Sequence, residues 1–183
     1  MCIRDRNAKQ TLVGNAIAEK CEETLFAYGL QAIDAAGVHA VTPALEKIVE
    51  ANTLMSGVGF ESGGLAAAHA IHNGLTSLPN EALHAKTHGE KVAFGTLTQL
   101  FLEGRETEDI HTYLAFDLAL GLPTTFDDLG IADISDEDLL KVGQAATAPA
   151  DTMTEMPFEV TPADVVAAMK GADAYSRAIQ GLA

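Results

Sequence analysis

The chain is 183 residues long, with 26 acidic against 11 basic side chains and a formal net charge of −15, a balance that argues against binding nucleic acid or an anionic membrane surface. Hydrophobic residues make up 48%, enough for a real core in one domain, yet no run of about 18 apolar residues occurs and no basic start leads into an apolar signal segment. Tryptophan is absent and aromatics are few, which leaves no stacking platform for bases or glycans.

Residues 1–8 read as a non-native leader and 9–183 as one helical domain. The opening Met-Cys-Ile-Arg-Asp-Arg shares no periodicity with the segment after it and is set aside from fold reasoning. From Lys9 to about Ala36, Leu12, Ala16, Cys21, Leu25 and Ile33 stand among acidic residues and predict an amphipathic helix that breaks near Gly29. Cys2 and Cys21 give neither a disulfide framework nor a metal spacing, so a reducing cytoplasm is the expected location.

Thr42-Pro43 supplies an N-cap and a proline at the first helical position, followed by an apolar stripe of Leu45, Ile48, Val49 and Leu54. Ser56-Gly57-Val58-Gly59-Phe60 is too rich in glycine to extend that helix, and periodicity makes Phe60 a core residue. A new helix is expected from about Ser62 to Asn73, stopped by Gly74. The segment up to Thr87 reads as a polar loop turning at Pro79-Asn80, with His84 on its surface. Further helices are expected over Gly89 to Glu103, over Glu108 to Leu120, from Ser135 to about Ala146, and from Thr161-Pro162 to Gly181; Phe126 to Leu129 reads as one short helical turn. His39 and His111 fall on polar stretches and are expected at the surface. No segment alternates with period two over six residues or more, and there is no Gly-x-Gly-x-x-Gly and no internal repeat. The fold class is therefore all-α, with seven or eight helices.

The chemistry concentrates between Gly57 and Gly95. Gly63 to Gly74 is a run of small residues ending in His69-x-x-His72, and residues three apart share a helical face. His88 opens the next helix nineteen residues after His69. Imidazole is a good ligand for divalent transition metals, whose catalytic sites often take three protein ligands and leave one position open. A histidine on an alanine-rich face is more often a hydrogen-bonded core residue, and paired glycines more often mean close helix packing. Spacing alone does not decide between these readings.

The runs GVGFESGGLAAAHAIHNGL and THGEKVAFGTLTQL resemble the signature region of bacterial glycerol dehydrogenases, within the iron-containing alcohol dehydrogenase group. The similarity extends through VTPALEKIVEANTLMSG and past LGLPTT, from about residue 9, and is weakest after about residue 130. The resemblance implies a divalent metal, zinc or alternatively iron, held by one aspartate and two histidines, the latter at His69 and His88. It places Phe60 against glycerol, and His72 beside the metal as a supporting or cofactor-side residue. The family's aspartate belongs to a Gly-x-Gly-Asp-Ala segment that does not occur here, and its nucleotide-binding domain does not occur either.

The chain accordingly reads as the C-terminal helical part of an NAD-dependent glycerol dehydrogenase of dehydroquinate synthase-like architecture, inactive alone. The whole protein is expected to be a cytoplasmic homo-oligomer acting on a small polyol, without nucleic acid or membrane partners. Two other readings stand beside it: a sister metal-dependent alcohol dehydrogenase or sugar-phosphate synthase, and a metal-free helical interaction domain in which His69 and His72 only pack. A phosphate-binding sister would need several Lys or Arg at the site, whereas only Lys86 and Lys91 are near in sequence.

Overall fold

The computed structural model describes residues 11–182; the proposed leader lies outside the described residues. Among the described residues there are helices and turns but no strand. They divide into two compact units, one ending at Leu65 and the other beginning at Ala66.

In the first unit, α1 runs unbroken over Leu12–Gly37, with the Thr11 hydroxyl accepting from the Gly14 N–H at its start. The expected break at Gly29 does not occur: one internal glycine costs about 1 kcal/mol, and the helix packs along its length on the next two. α2 spans Pro43–Glu50 under the Thr42 cap.

The glycine-rich stretch corrects the sequence reading. A single π turn, Ala51–Met55, carries α2 into α3, Ser56–Gly63, so these residues stay helical. Packing against α1 outweighs their poor propensity. The Cys21 thiol meets the Ala51 carbonyl at 3.7 Å, and the Thr11 hydroxyl donates to the Ser62 carbonyl at 3.3 Å. Phe60 stands on α3 and is 37% exposed, so it is not the core residue that periodicity predicts.

The helix expected from Ser62 starts later, at Ala67. Gly64 takes φ 98°, a conformation that excludes residues with a β-carbon, and the chain breaks there.

The second unit therefore starts with α4 at Ala67–Thr76. Gly74 is no stop but a buried interior residue: a β-carbon on it would lie 2.5 Å from the Val142 carbonyl oxygen. The expected loop after α4 contains a short helix, α5, Glu81–Ala85, capped by the Asn80 side chain. α6 spans His88–Leu102 behind a full capping box made by Thr87 and Glu90. α7 spans Thr107–Leu120 and ends on Gly121 in the left-handed region. Residues 126–129 form a hydrogen-bonded turn rather than a helix. α8 is Asp136–Ala146 behind Ser135, and α9 is Pro162–Gln180 behind a Thr161–Asp164 capping box.

α4 lies at the centre of this unit, packed against both α6 and α8. Ile71, Leu75, Phe94, Leu139, Val142, Val165 and Met169 form the main core, with Phe94 and Phe126 in ring contact at 5.4 Å. Burying such side chains contributes about 1.5–3 kcal/mol each. This core holds α4 rigidly and so fixes the face that carries the histidines.

Candidate metal centre

His69 sits in the first turn of α4 and His88 is the first residue of α6. Two contacts from α6 place them together. α4 has no side-chain cap of its own, but Gln99 Oε1 accepts from the Ala68 N–H at 2.9 Å and closes that end of the helix. Four residues earlier on α6, Gly95 lets the two backbones touch at Ala68. Neither Gln99 nor Gly95 stands out in the sequence as a site residue, because each acts across a helix pair.

The result is a tight cluster of three imidazoles. The Nε2 atoms of His69 and His88 are 3.2 Å apart, with ring centroids at 5.1 Å. His72 meets His88 edge to face, centroids 4.4 Å apart. His88 is thus the member that touches both others.

Two nitrogens at about 2.0–2.1 Å from one tetrahedral zinc lie about 3.3 Å apart, so the pair suits two positions on a single cation. Without a cation the same spacing is a hydrogen bond with one ring donating and the other accepting. Among the described residues no group of three or more His, Cys, Asp or Glu side chains is arranged to hold a metal. Within these residues the chain therefore offers two ligands and not a closed site.

Burial favours the neutral ring at His69 and at His72. The pKa of His69 is lowered first by desolvation and then by His88 and His72, with Asp151 opposing. That of His72 is lowered chiefly by desolvation, against a raising hydrogen bond to Asn73. A neutral imidazole is the form that can ligate.

The nearby cations are engaged elsewhere. Lys91 is buried and its Nζ donates to the Lys86 carbonyl at 2.8 Å and the Leu83 carbonyl at 3.4 Å, capping α5. Lys86 pairs with Glu90 at 3.7 Å. His84 is exposed and hydrogen-bonded to the Thr76 carbonyl, while His39 and His111 are exposed. Phe60 belongs to the other compact unit.

Comparison with known proteins points one way. The chain is 51% identical over 167 residues to glycerol dehydrogenase from Thermotoga maritima, covering 91% of this chain and 45% of that one. The chain is homologous to glycerol dehydrogenases. A glycolaldehyde reductase from Halobacterium salinarum is 48% identical over 172 residues, covering 94% of this chain and 47% of its own. The crystal structure of glycerol dehydrogenase from Schizosaccharomyces pombe superposes with a TM-score of 0.90 at 43% identity, over 95% of this chain and 45% of that one. The chain spans about half the length of the relatives it matches. No family model matches it. The all-helical architecture agrees with the helical domain expected from the sequence.

Proposed function

We propose that His69 and His88 are two ligands of a divalent cation, zinc or alternatively iron, in an NAD-dependent dehydrogenase that oxidises glycerol to dihydroxyacetone. One observation carries this reading: the two Nε2 atoms stand 3.2 Å apart on separate helices, at the separation two ligands take on one cation. The bound cation would supply Lewis acidity to a coordinated hydroxyl, and NAD the hydride acceptor.

This chain's own residues orient and select. Gln99 and Gly95 fix α4 against α6, which holds the two Nε2 atoms 3.2 Å apart. Desolvation holds His69 in the neutral, ligating form. With Lys91 and Lys86 both committed to the protein's own carbonyls and carboxylates, neither ammonium is left to hold a phosphate beside the histidines. That favours an uncharged polyol over a sugar phosphate. A substrate contact for Phe60 rests on the family resemblance and on its partly exposed ring.

The third ligand, an aspartate, and the dinucleotide-binding half would lie in the remainder of a complete protein. The 183-residue chain is therefore expected to oxidise glycerol negligibly by itself. Metal analysis tests the ligand assignment: in a full-length relative, alanine at the position of either His69 or His88 is expected to abolish tight metal binding. Unchanged metal content in both variants would overturn it.

A further inference from the structure

Asp151 and Asn73 have no part in the proposed cation site, yet they form a connected path to the histidine cluster. Asp151 precedes a short 3₁₀ turn, Thr152–Glu155, and its Oδ1 accepts from the Thr152 N–H at 2.7 Å. The Thr152 hydroxyl donates to the Ala66 carbonyl at 2.9 Å, which straps this turn to the start of α4. Both Asp151 oxygens accept from Asn73 Nδ2, at 3.2 and 3.1 Å. Asn73 Oδ1 lies 3.1 Å from His72 Nδ1.

The direction of every bond in this path is dictated from its acidic end. A carboxylate only accepts, so the Asn73 amide must turn its NH₂ toward Asp151 and its carbonyl oxygen toward His72. That oxygen also only accepts, so the proton must sit on His72 Nδ1. In the neutral ring Nε2 is then bare.

We propose that Asp151 and Asn73 are positioning residues that hold neutral His72 in its Nδ1–H tautomer and leave Nε2 as a free acceptor within the histidine cluster. A solvated imidazole side chain prefers the opposite tautomer, so this arrangement is imposed by the fold and is not a default. His72 forms no closed metal group with its neighbours among the described residues, and its ring lies edge-on to His88. The tautomer rests only on the hydrogen bonds and is independent of the dehydrogenase reading.

The test is made on the ¹⁵N-labelled 183-residue chain, free of metal and substrate, at about pH 8, where imidazole is neutral. Long-range ¹H–¹⁵N correlations distinguish a protonated ring nitrogen from a bare one. His72 is expected to show a protonated Nδ1 and a bare Nε2. Asn73→Ala is expected to return it to the Nε2–H form, and Asp151→Asn, which lets the Asn73 amide flip, to lower the Nδ1–H fraction. An Nε2–H tautomer in the unmodified chain overturns the proposal, as does an Nδ1–H signal that survives in Asn73→Ala. A signal unmoved by Asp151→Asn alone removes Asp151 from it. None of these outcomes depends on dehydrogenase activity, so failure here is distinct from failure of the functional reading.

Discussion

Gly95 and Ala68 meet backbone to backbone: a β-carbon added at residue 95 would lie 2.4 Å from the Ala68 carbonyl oxygen. That contact sets how deeply α4 sits on α6, and hence where His69 stands relative to His88, whose Nε2 is 3.2 Å away. Substitution here acts on the fold and on the site together.

Gly95→Ala gains helix propensity of about 1 kcal/mol, but it presses a methyl group onto a carbonyl that cannot turn aside. A net loss of about 1–3 kcal/mol is expected, measured by urea denaturation. Gly74→Ala is the matched control, since its β-carbon would lie 2.5 Å from the Val142 carbonyl oxygen on α8, away from α6. Both variants lose stability, but only Gly95→Ala separates the His69 and His88 rings, seen as loss of the ring-to-ring contact by NMR. Equal stability of Gly95→Ala and the unmodified chain would contradict this account of the helix pair.

Gln99 closes the start of α4 through the Ala68 N–H at 2.9 Å and donates to Glu103 Oε1 at 2.7 Å. Gln99→Ala leaves that amide without an acceptor and is expected to cost about 1 kcal/mol. The exchange Gln99→Glu with Glu103→Gln restores both bonds with one reversed, and is expected to recover most of the loss. Failure of the exchange to recover more than Gln99→Glu alone would argue against the Gln99–Glu103 bond, and equal stability of Gln99→Ala and the unmodified chain against the cap.

Asp117 is a carboxyl on α7 only 8% exposed, and burial raises its pKa from 3.8 to about 7. The folded-state value is raised, so the unfolded chain binds fewer protons between these two values. The stabilising contribution is complete below 3.8 and is lost as pH rises through about 7. His69, whose pKa is lowered, acts in the opposite sense: its contribution is present above the ordinary histidine value of 6.5 and falls away as pH drops through the lower folded value. Asp117→Asn separates the two. The stability of Asp117→Asn relative to the unmodified chain is expected to rise between about pH 4 and 7 and then level off. A difference that is flat with pH would show that Asp117 does not titrate abnormally.

Local chemistry made much of this architecture legible from the sequence. Thr42-Pro43, Ser135 and Thr161 each cap the helix that the sequence assigns them, because a cap is complete within four residues. Two failures lie where distant parts decide. Ser56 to Gly63 is helical because α1 packs on it, and Gly74 continues α4 because α8 approaches its backbone. In the site, the His-x-x-His face was visible because 3.6-residue periodicity is local. Gln99, 31 residues from Ala68, and Asp151, 78 residues from Asn73, were not: side chains that close a helix or set a tautomer from another element leave no spacing to read.

The central claim is that the two imidazoles serve one cation, and zinc titration of the ¹⁵N-labelled chain tests it most directly. The Nε2 resonances of His69 and His88 are expected to shift together along a single saturable curve with one zinc per chain, and the curve to vanish in His69→Ala and in His88→Ala. Zinc that leaves both resonances in place, or binds both variants as it binds the unmodified chain, would contradict the account.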